Sequence, residues 1–420
     1  MKILMFSWEY PPLSYGGLAR HVQDLSEALV SQGHQIFVIT QGDGKLPREE
    51  VVSGVKIYRS NPLQISAINF VEHILHLNFL LLEKAINIID RLGDFDLIHG
   101  HDWLVFWVCR VLKHALTKPL LYTIHATEFG RNQGIYNEIQ RYINDLEWYA
   151  TFEAWRVIVC SNFMKQEVKN LFQLPDDKVL EIANGVNEEN YRADYSKAFR
   201  QNYASPDEQI ILYVGRIVRE KGIQVLIQSI PEILQRNPAS KFVIAGKGPY
   251  LDSLKAQADY LGISNRVYFT GFISDEERNK LYRCADLAVF PSLYEPFGIV
   301  ALEAMATMTP VIVSAVGGLV EFVEDGENGL TVPPNDSSRL AQAILQLLNE
   351  QNTARRLANN GYRLVKEKYS WKQIARKTVK VYQEVLAEYA ESDWPKEQKR
   401  CRERAGESII YRYLMQKKYS

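Results

Sequence analysis

The feature that most restricts the fold is an alternation of short apolar runs with helical stretches, which the chain passes through twice. In the first half, residues 2–7, 35–40, 55–58, 96–99, 120–125 and 156–160 read as strands, and 19–32 reads as a helix ending at Gly33. In the second half, strands at 210–214, 241–245, 267–270, 287–290 and 311–313 alternate with helices at 222–234, 251–261, 276–284, 298–306 and 318–323. Strands joined through helices pair in parallel and are covered on both faces. Between the halves lies 184–206, polar and rich in Asn, Asp and Tyr. A chain of 420 residues exceeds what one core holds. The expected class is therefore α/β, with two doubly wound, Rossmann-like domains at 1–190 and 207–369 and a cleft between their sheet ends. Helices at 337–349 and 353–366 follow, then one from Ser370-Trp371 to about Tyr389, broken at Trp394-Pro395. We divide the remainder into a helix at 370–391 and a basic tail at 392–420. From 396 to 420 eight Lys/Arg face three Asp/Glu, which reads most simply as a solvated end.

Composition excludes several classes. With 49 Lys/Arg against 50 Asp/Glu, the chain lacks the electrostatic footprint of a nucleic-acid binder. Cys109, Cys160, Cys284 and Cys401 are far apart and form no CxxC, so neither a zinc ribbon nor a disulfide framework is expected, and a reducing, cytoplasmic setting is. The segment 1–9 lacks the length and cleavage site of a signal peptide. No apolar run reaches the roughly 18 residues of a membrane helix. The nearest, 67–90, is broken by Glu72, His73, His76, Asn78, Glu83 and Lys84. Its Ile68, Val71, Ile74, Leu75 and Leu82 recur at helical spacing, as for a helix packed on a sheet.

Ligands of parallel sheets sit beyond the carboxyl ends of the strands, so polar residues there are the candidates. The richest stretch is Ser292-Leu-Tyr-Glu295-Pro-Phe-Gly298-Ile-Val-Ala-Leu-Glu303. Pro296 precedes a helix start, Gly298 permits close backbone approach, and the amides of Phe297, Gly298 and Ile299 suit an anion. Glu295 before the helix and Glu303 within it flank that point. The arrangement suits a phosphate between two hydroxyl-rich groups. Gly16-Gly17 follows the first strand and offers close backbone approach. Arg216, with its fork, and Lys221, a mobile point charge, follow the first strand of the second half and suit two leaving phosphates. Gly246, Phe272 and the Gly317-Gly318 pair lie at later strand ends and would line a nucleotide slot. His125 ends one strand and can hydrogen-bond a substrate hydroxyl. Asp102, in His99-Gly-His101-Asp102-Trp103, can accept from a sugar hydroxyl. Asp94-Phe-Asp96 resembles a DxD metal motif, but Asp96 opens a strand, far from the ligand edge. No other His/Cys/carboxylate cluster has metal spacing, so no metal site is expected.

These residues resemble the retaining glycosyltransferases of the GT-B fold: family 4, or glycosyl transferase group 1, glycogen- or starch-synthase-like. The resemblance runs from the Gly16-Gly17 loop to the helix around Trp371. It implies that Arg216 and Lys221 hold a donor diphosphate, and that Glu295 and the amides from Phe297 to Ile299 meet the sugar and phosphate. It places Glu303 on the ribose and has His125 and Asp102 face the sugar and acceptor from the other domain. The last helix would cross back to the first domain. Retention would use front-side attack without metal or other cofactor. Trp8-Glu9-Tyr10-Pro11-Pro12, His101-Asp102-Trp103 and the aromatic span 136–155 are similar to α-glucan synthases. Ser14, where starch synthases carry Lys, and Glu303, which they lack, point away from ADP-glucose. The expected partners are a nucleotide-diphosphate hexose, with glucose favoured, and a sugar or α-glucan acceptor. The alternatives are a lipid, polyol or exopolysaccharide precursor as acceptor, or an inactive nucleotide-sugar-binding protein. With 17 Lys/Arg against 23 Asp/Glu in 1–190, docking on anionic lipid is disfavoured.

Overall fold

The computed structural model describes residues 1–187, 191 and 194–396. The basic tail beyond Lys396 and part of the 184–206 connection lie outside the described residues. The first sheet holds β1 (Lys2–Phe6), β2 (Gln35–Gln41), β3 (Glu49–Val52), β4 (Val55–Ser60), β5 (Leu97–His101), β6 (Leu120–Ile124), β7 (Arg156–Val159) and β8 (Val179–Glu181). Their spatial order is β3-β4-β2-β1-β5-β6-β7-β8. All neighbours pair in parallel except the β3–β4 hairpin. The second sheet holds β9 (Gln209–Val214), β10 (Ser240–Ala245), β11 (Val267–Gly271), β12 (Leu287–Phe290), β13 (Val311–Ser314) and β14 (Leu330–Val332), in order β11-β10-β9-β12-β13-β14 and all parallel. Ile3, Leu4, Met5 and Phe6 are all fully buried. A strand covered on both faces reads as an unbroken apolar run, which is why these strands were visible in sequence.

Helices cover the first sheet: α1 (Gly17–Ser31), α2 (Phe70–Leu92), α3 (Phe106–Leu116), α4 (Glu128–Asn132), α5 (Glu138–Glu153) and α6 (Asn162–Phe172). After α7 (Lys197–Gln201), the second sheet is covered by α8 (Ile223–Arg236), α9 (Leu251–Tyr260), α10 (Asp275–Cys284), α11 (Ile299–Ala306), α12 (Ser337–Asn349) and α13 (Gln351–Lys368). The segment after Gly317 is a 3₁₀ turn over Gly317–Glu321, not the helix expected at 318–323. The buried stripe of α2 also differs from the expected one. Ile74, Leu77, Leu81, Ala85 and Ile88 face the core, whereas Ile68 precedes the helix and is 90% exposed. Asn69 fixes that boundary, its side chain accepting from Glu72 N, as an N-cap does.

The last helix, α14 (Trp371–Glu391), packs along α1. Its Trp371, Ile374, Val381, Tyr382 and Val385 are buried. Each such side chain contributes on the order of 2 kcal/mol. Two polar contacts add direction: Tyr382 OH meets His99 Nδ1 at 2.8 Å, and Trp155 Nε1 donates to Glu388 at 2.7 Å. The chain thus leaves the second sheet and returns to the first, as the resemblance implied. The two connections touch where they cross: Val186 N donates to Tyr369 O at 2.8 Å.

Candidate active site

Both sheets reverse their strand order at one point, and the candidates gather there. In the second sheet the reversal lies between β9 and β12. Arg216 and Lys221 follow β9 and Glu295 follows β12. In the first sheet it lies between β1 and β5. Gly16-Gly17 follow β1, Asp102 follows β5, and His125 follows the neighbouring β6. The two reversal points face each other. A Cβ built on Gly16 would lie 3.5 Å from Arg216 Cδ, and one on Gly17 would lie 3.5 Å from Ile299 Cδ1.

On the second-domain side, Lys221 Nζ donates to Glu295 Oε2 at 2.7 Å, and Ser292 Oγ donates to the same oxygen at 3.0 Å. Glu295 is only 6% exposed. Arg216 is the open cation. Its side chain is 45% exposed and lies 3.5 Å from Glu220, so its guanidinium is available to a ligand. Gly298 has φ 104° and opens α11 with no side-chain cap, leaving the first-turn amides for an anion. Gly317 holds this loop from behind. Its φ is +55°, and a Cβ there would lie 2.0 Å from Glu295 O. The Phe297 side chain is buried against Phe322 and Tyr369, so its part in the site is through its backbone. Gly246 N donates to Gly271 O at 2.9 Å, and a Cβ on Gly246 would lie 1.8 Å from Gly215 O. The floor of the slot is backbone packed on backbone. Phe272 at its edge is 66% exposed, with Lys247 Nζ 5.6 Å from its ring centre.

Glu303 is placed on α11 but is not open to solvent. Tyr191 OH donates to it at 2.8 Å, Tyr282 OH donates at 3.2 Å, and Arg278 Nε lies 3.7 Å away. A ribose reaching this carboxylate would share it with Tyr191.

On the first-domain side, Asp102 lies at the strand end as expected and also braces the neighbouring loop. It sits at φ 58°, 4% exposed. Its Oδ1 accepts His125 N at 2.8 Å, and Arg131 lies 3.8 Å from Oδ2. Burial pushes its carboxyl up to about 6 against the pull of Arg131 and the His125 amide. Through Oδ1 it holds the His125 backbone in place, while Oδ2 faces the Arg131 guanidinium. His125 Nε2 meets His101 Nδ1 at 3.2 Å, and the His21 ring stands edge-on to it, 4.5 Å between centres. One ring nitrogen each of His21, His101 and His125 lies within 4.8 Å of the others. The expectation that no metal-spaced cluster exists thus fails in space, because β5 and β6 are neighbours and His21 of α1 stands edge-on to the rings at their ends. Asp96 does behave as a strand-start residue, accepting Lys2 N at 2.6 Å.

Sequence reasoning singled out the motif that contains Glu9 but gave the residue no role. Buried at 3% exposure, it accepts the Tyr15 amide and so ties the strand end to the Gly16-Gly17 loop. Burial pushes its carboxyl up to about 7, against the pull of the Tyr15 and Ala19 amides. Its place directly after a strand was the available signal. His21 carried none, since it falls within an ordinary helical pattern.

Several contacts draw the two domains together around the site. Ser161 Oγ donates to Pro296 O at 2.6 Å, and Glu321 accepts Asn162 N and Phe163 N at 2.9 and 2.7 Å. Glu167 accepts from Tyr294 OH and Thr127 Oγ1, and Arg20 pairs with Asp275 at 2.5 Å.

Comparison with known proteins agrees with this architecture. Residues 15–190 match the Glycosyltransferase Family 4 family and residues 194–364 match Glycosyl transferases group 1. An uncharacterised glycosyltransferase of Methanocaldococcus jannaschii is 41% identical over 395 residues, covering 91% of this chain and 98% of its own. A glycogen synthase of Mycobacterium tuberculosis is 34% identical, covering 91% and 94%. The structure of a sucrose-phosphate synthase from Thermosynechococcus elongatus superposes with a TM-score of 0.81 at 29% identity, covering 92% of this chain and 99% of that one. The chain belongs to the group 1, family 4 glycosyltransferases: it is a GT-B transferase of the glycogen-synthase-like kind.

Proposed function

We propose that the chain transfers a hexose, glucose in the favoured case, from a nucleotide diphosphate to a sugar or α-glucan acceptor, with retention and with no metal required. The observation that carries this reading is the gathering of Arg216, the Lys221–Glu295 pair and the α11 amides at one reversal of strand order, opposite the Gly16-Gly17 loop. Two cations and a helix start supply the positive charge that a departing diphosphate needs. Lys221 is already neutralised by Glu295, so a phosphate would take over that lysine and free Glu295 for a sugar hydroxyl. His125, held by Asp102, meets the sugar from the other side.

Retention by front-side attack fits the carboxylates present. Glu295 is tied to Lys221 and Ser292, and Asp102 to His125 N and Arg131, so neither is placed as a free nucleophile. The acceptor hydroxyl oxygen bonds to the anomeric carbon as the bond to the phosphate oxygen breaks. The hydroxyl proton passes to that departing phosphate. Contacts such as Ser161–Pro296 and Tyr294–Glu167 close the cleft and exclude water from the reacting carbon. Among the described residues no helix is long and apolar enough to cross a membrane. We place the enzyme in the cytoplasm.

The test is a panel of UDP-, ADP- and GDP-hexoses run in EDTA, with and without maltooligosaccharides. Extension of the oligosaccharide by one donor, with the α-anomer in the product, is the expected result. Hydrolysis of a donor without extension overturns the glucan acceptor, and no turnover of any donor overturns the transferase reading.

A further inference from the structure

The histidine cluster at the base of the first-domain side has a property that sugar transfer does not use. His21 Nε2 and His101 Nε2 are both buried and neither has a hydrogen-bond partner in the structure. Their residues are 5% and 0% exposed. Buried polar atoms are nearly always satisfied, and an orphan points to a missing water or ion. Here two orphans sit beside a third imidazole, His125, with one nitrogen of each ring within 4.8 Å of the others. His21 is also set up as a ligand is. Its Nδ1 donates to Asn184 Oδ1 at 2.7 Å, which fixes the tautomer and leaves the Nε2 lone pair free. Burial holds all three rings neutral, His125 down to about 3 and the other two well below the usual imidazole range. Neutral imidazole is the ligating form.

We propose that His21, His101 and His125 form a binding site for a borderline divalent cation of the Zn²⁺ class, and that an ion held there blocks the sugar site by taking His125. Three nitrogens with no thiolate or carboxylate select Zn²⁺, Cu²⁺, Ni²⁺ or Co²⁺ over Mg²⁺ and Ca²⁺. Tetrahedral zinc–nitrogen bonds of about 2.1 Å set two ligand atoms about 3.4 Å apart. Against a spread of up to 4.8 Å, the widest pair of rings must close by up to about 1.4 Å. His125 is half-buried and gives the ion a route from the cleft, with a water completing the tetrahedron. The blocking half of the proposal rests on the reading of His125 as a sugar contact; the metal site itself does not.

The full-length protein, stripped with EDTA and then freed of it, is dialysed against Zn²⁺, and separately titrated with Co²⁺ while its visible spectrum is followed. The expected result is one ion per chain at micromolar free metal. The Co²⁺ bands should be intense, as for tetrahedral coordination, with no thiolate charge-transfer band. His21→Ala and His101→Ala should each weaken binding at least tenfold. Absence of stoichiometric binding by the wild-type protein overturns the site, as does a thiolate band, or binding unchanged in both variants. In a second arm Zn²⁺ should inhibit donor turnover and EDTA should restore it. Binding without inhibition leaves the metal site standing and removes His125 from the sugar.

Discussion

Lys221 and Glu295 are expected to be coupled in both stability and catalysis, and a double-mutant cycle measures the coupling. Their charged atoms are 2.7 Å apart, with side chains 17% and 8% exposed. At an effective dielectric near 20, the gross attraction at that distance is about 6 kcal/mol. Much of it offsets the cost of removing both charges from water. Lys221→Met leaves a buried carboxylate with Ser292 as its remaining partner. Breaking one side of a buried pair costs about 3–5 kcal/mol, and the residual exposure of Lys221 puts this case near the lower figure. Glu295→Gln keeps an oxygen that accepts from both Lys221 and Ser292, so its cost is about 1 kcal/mol. The double variant removes both charges together and should lose little more than Glu295→Gln alone. The expected coupling is just under about 3 kcal/mol. The probe matters here. All seven tryptophans lie at or before Trp155 or at or after Trp371, so indole fluorescence does not report on the second sheet. Urea unfolding must be followed by far-UV circular dichroism as well, and a split transition treated domain by domain. On catalysis, each single variant should lower transfer by roughly two to three orders of magnitude, as loss of a positioned charge does. A double variant whose destabilisation equals the sum of the singles would refute the pairing. A folded Glu295→Gln protein with the wild-type transfer rate would refute the role of Glu295.

Three further outcomes follow from the same geometry. Asp102 is raised to about 6 by burial. An acid raised on folding stabilises the protein below its unfolded value near 3.8 and loses that contribution as pH rises through about 6, roughly 3 kcal/mol in all. Asp102→Asn should therefore gain on the wild type by about that amount between pH 4 and pH 7 in thermal unfolding; parallel curves would show that Asp102 does not titrate there. Gly317→Ala forces a Cβ to within 2.0 Å of Glu295 O at φ +55°. It should cost about 2–4 kcal/mol and depress transfer. Gly33→Ala, at φ +85° with nothing within 4 Å, should cost only about 1 kcal/mol and leave transfer unchanged; equal effects in the two variants would remove the steric argument. Tyr382→Phe deletes the partner of buried His99 Nδ1, and a melting shift equivalent to about 1–2 kcal/mol is expected; no shift would mean that α14 is held by apolar packing alone.

What the sequence disclosed and what it concealed divide along the range of the interactions. The placing of Arg216, Lys221, Glu295 and Gly298 at one sheet edge was legible because each lies in a loop that follows a strand, and in a parallel sheet those loops line the carboxyl edge. Buried strands were legible for a similar reason, since covering both faces demands a continuous apolar run. The missed strands break that condition. β3 is an edge strand carrying Glu49 and Glu50, with only one of its four residues even half-buried. β8 and β14 are three residues each, too short to show a pattern. The local bonding of Asp102 was out of reach for another reason. Its position was right, but a strand-end carboxylate has two available uses, to face the substrate or to fix a neighbouring loop. The choice depends on what stands opposite. Here it is the His125 amide, 23 residues on, and the Arg131 guanidinium. The histidine cluster lay furthest out of reach. His21 meets Asn184 across 163 residues and the Trp371 ring at 5.3 Å. Those partners come from the two segments that carry the chain between the domains. No local pattern encodes such a meeting. It exists because the last helix returns to the first domain, which brings the floor of the sugar side against the two crossings. His21 therefore touches both crossings and His125 at once.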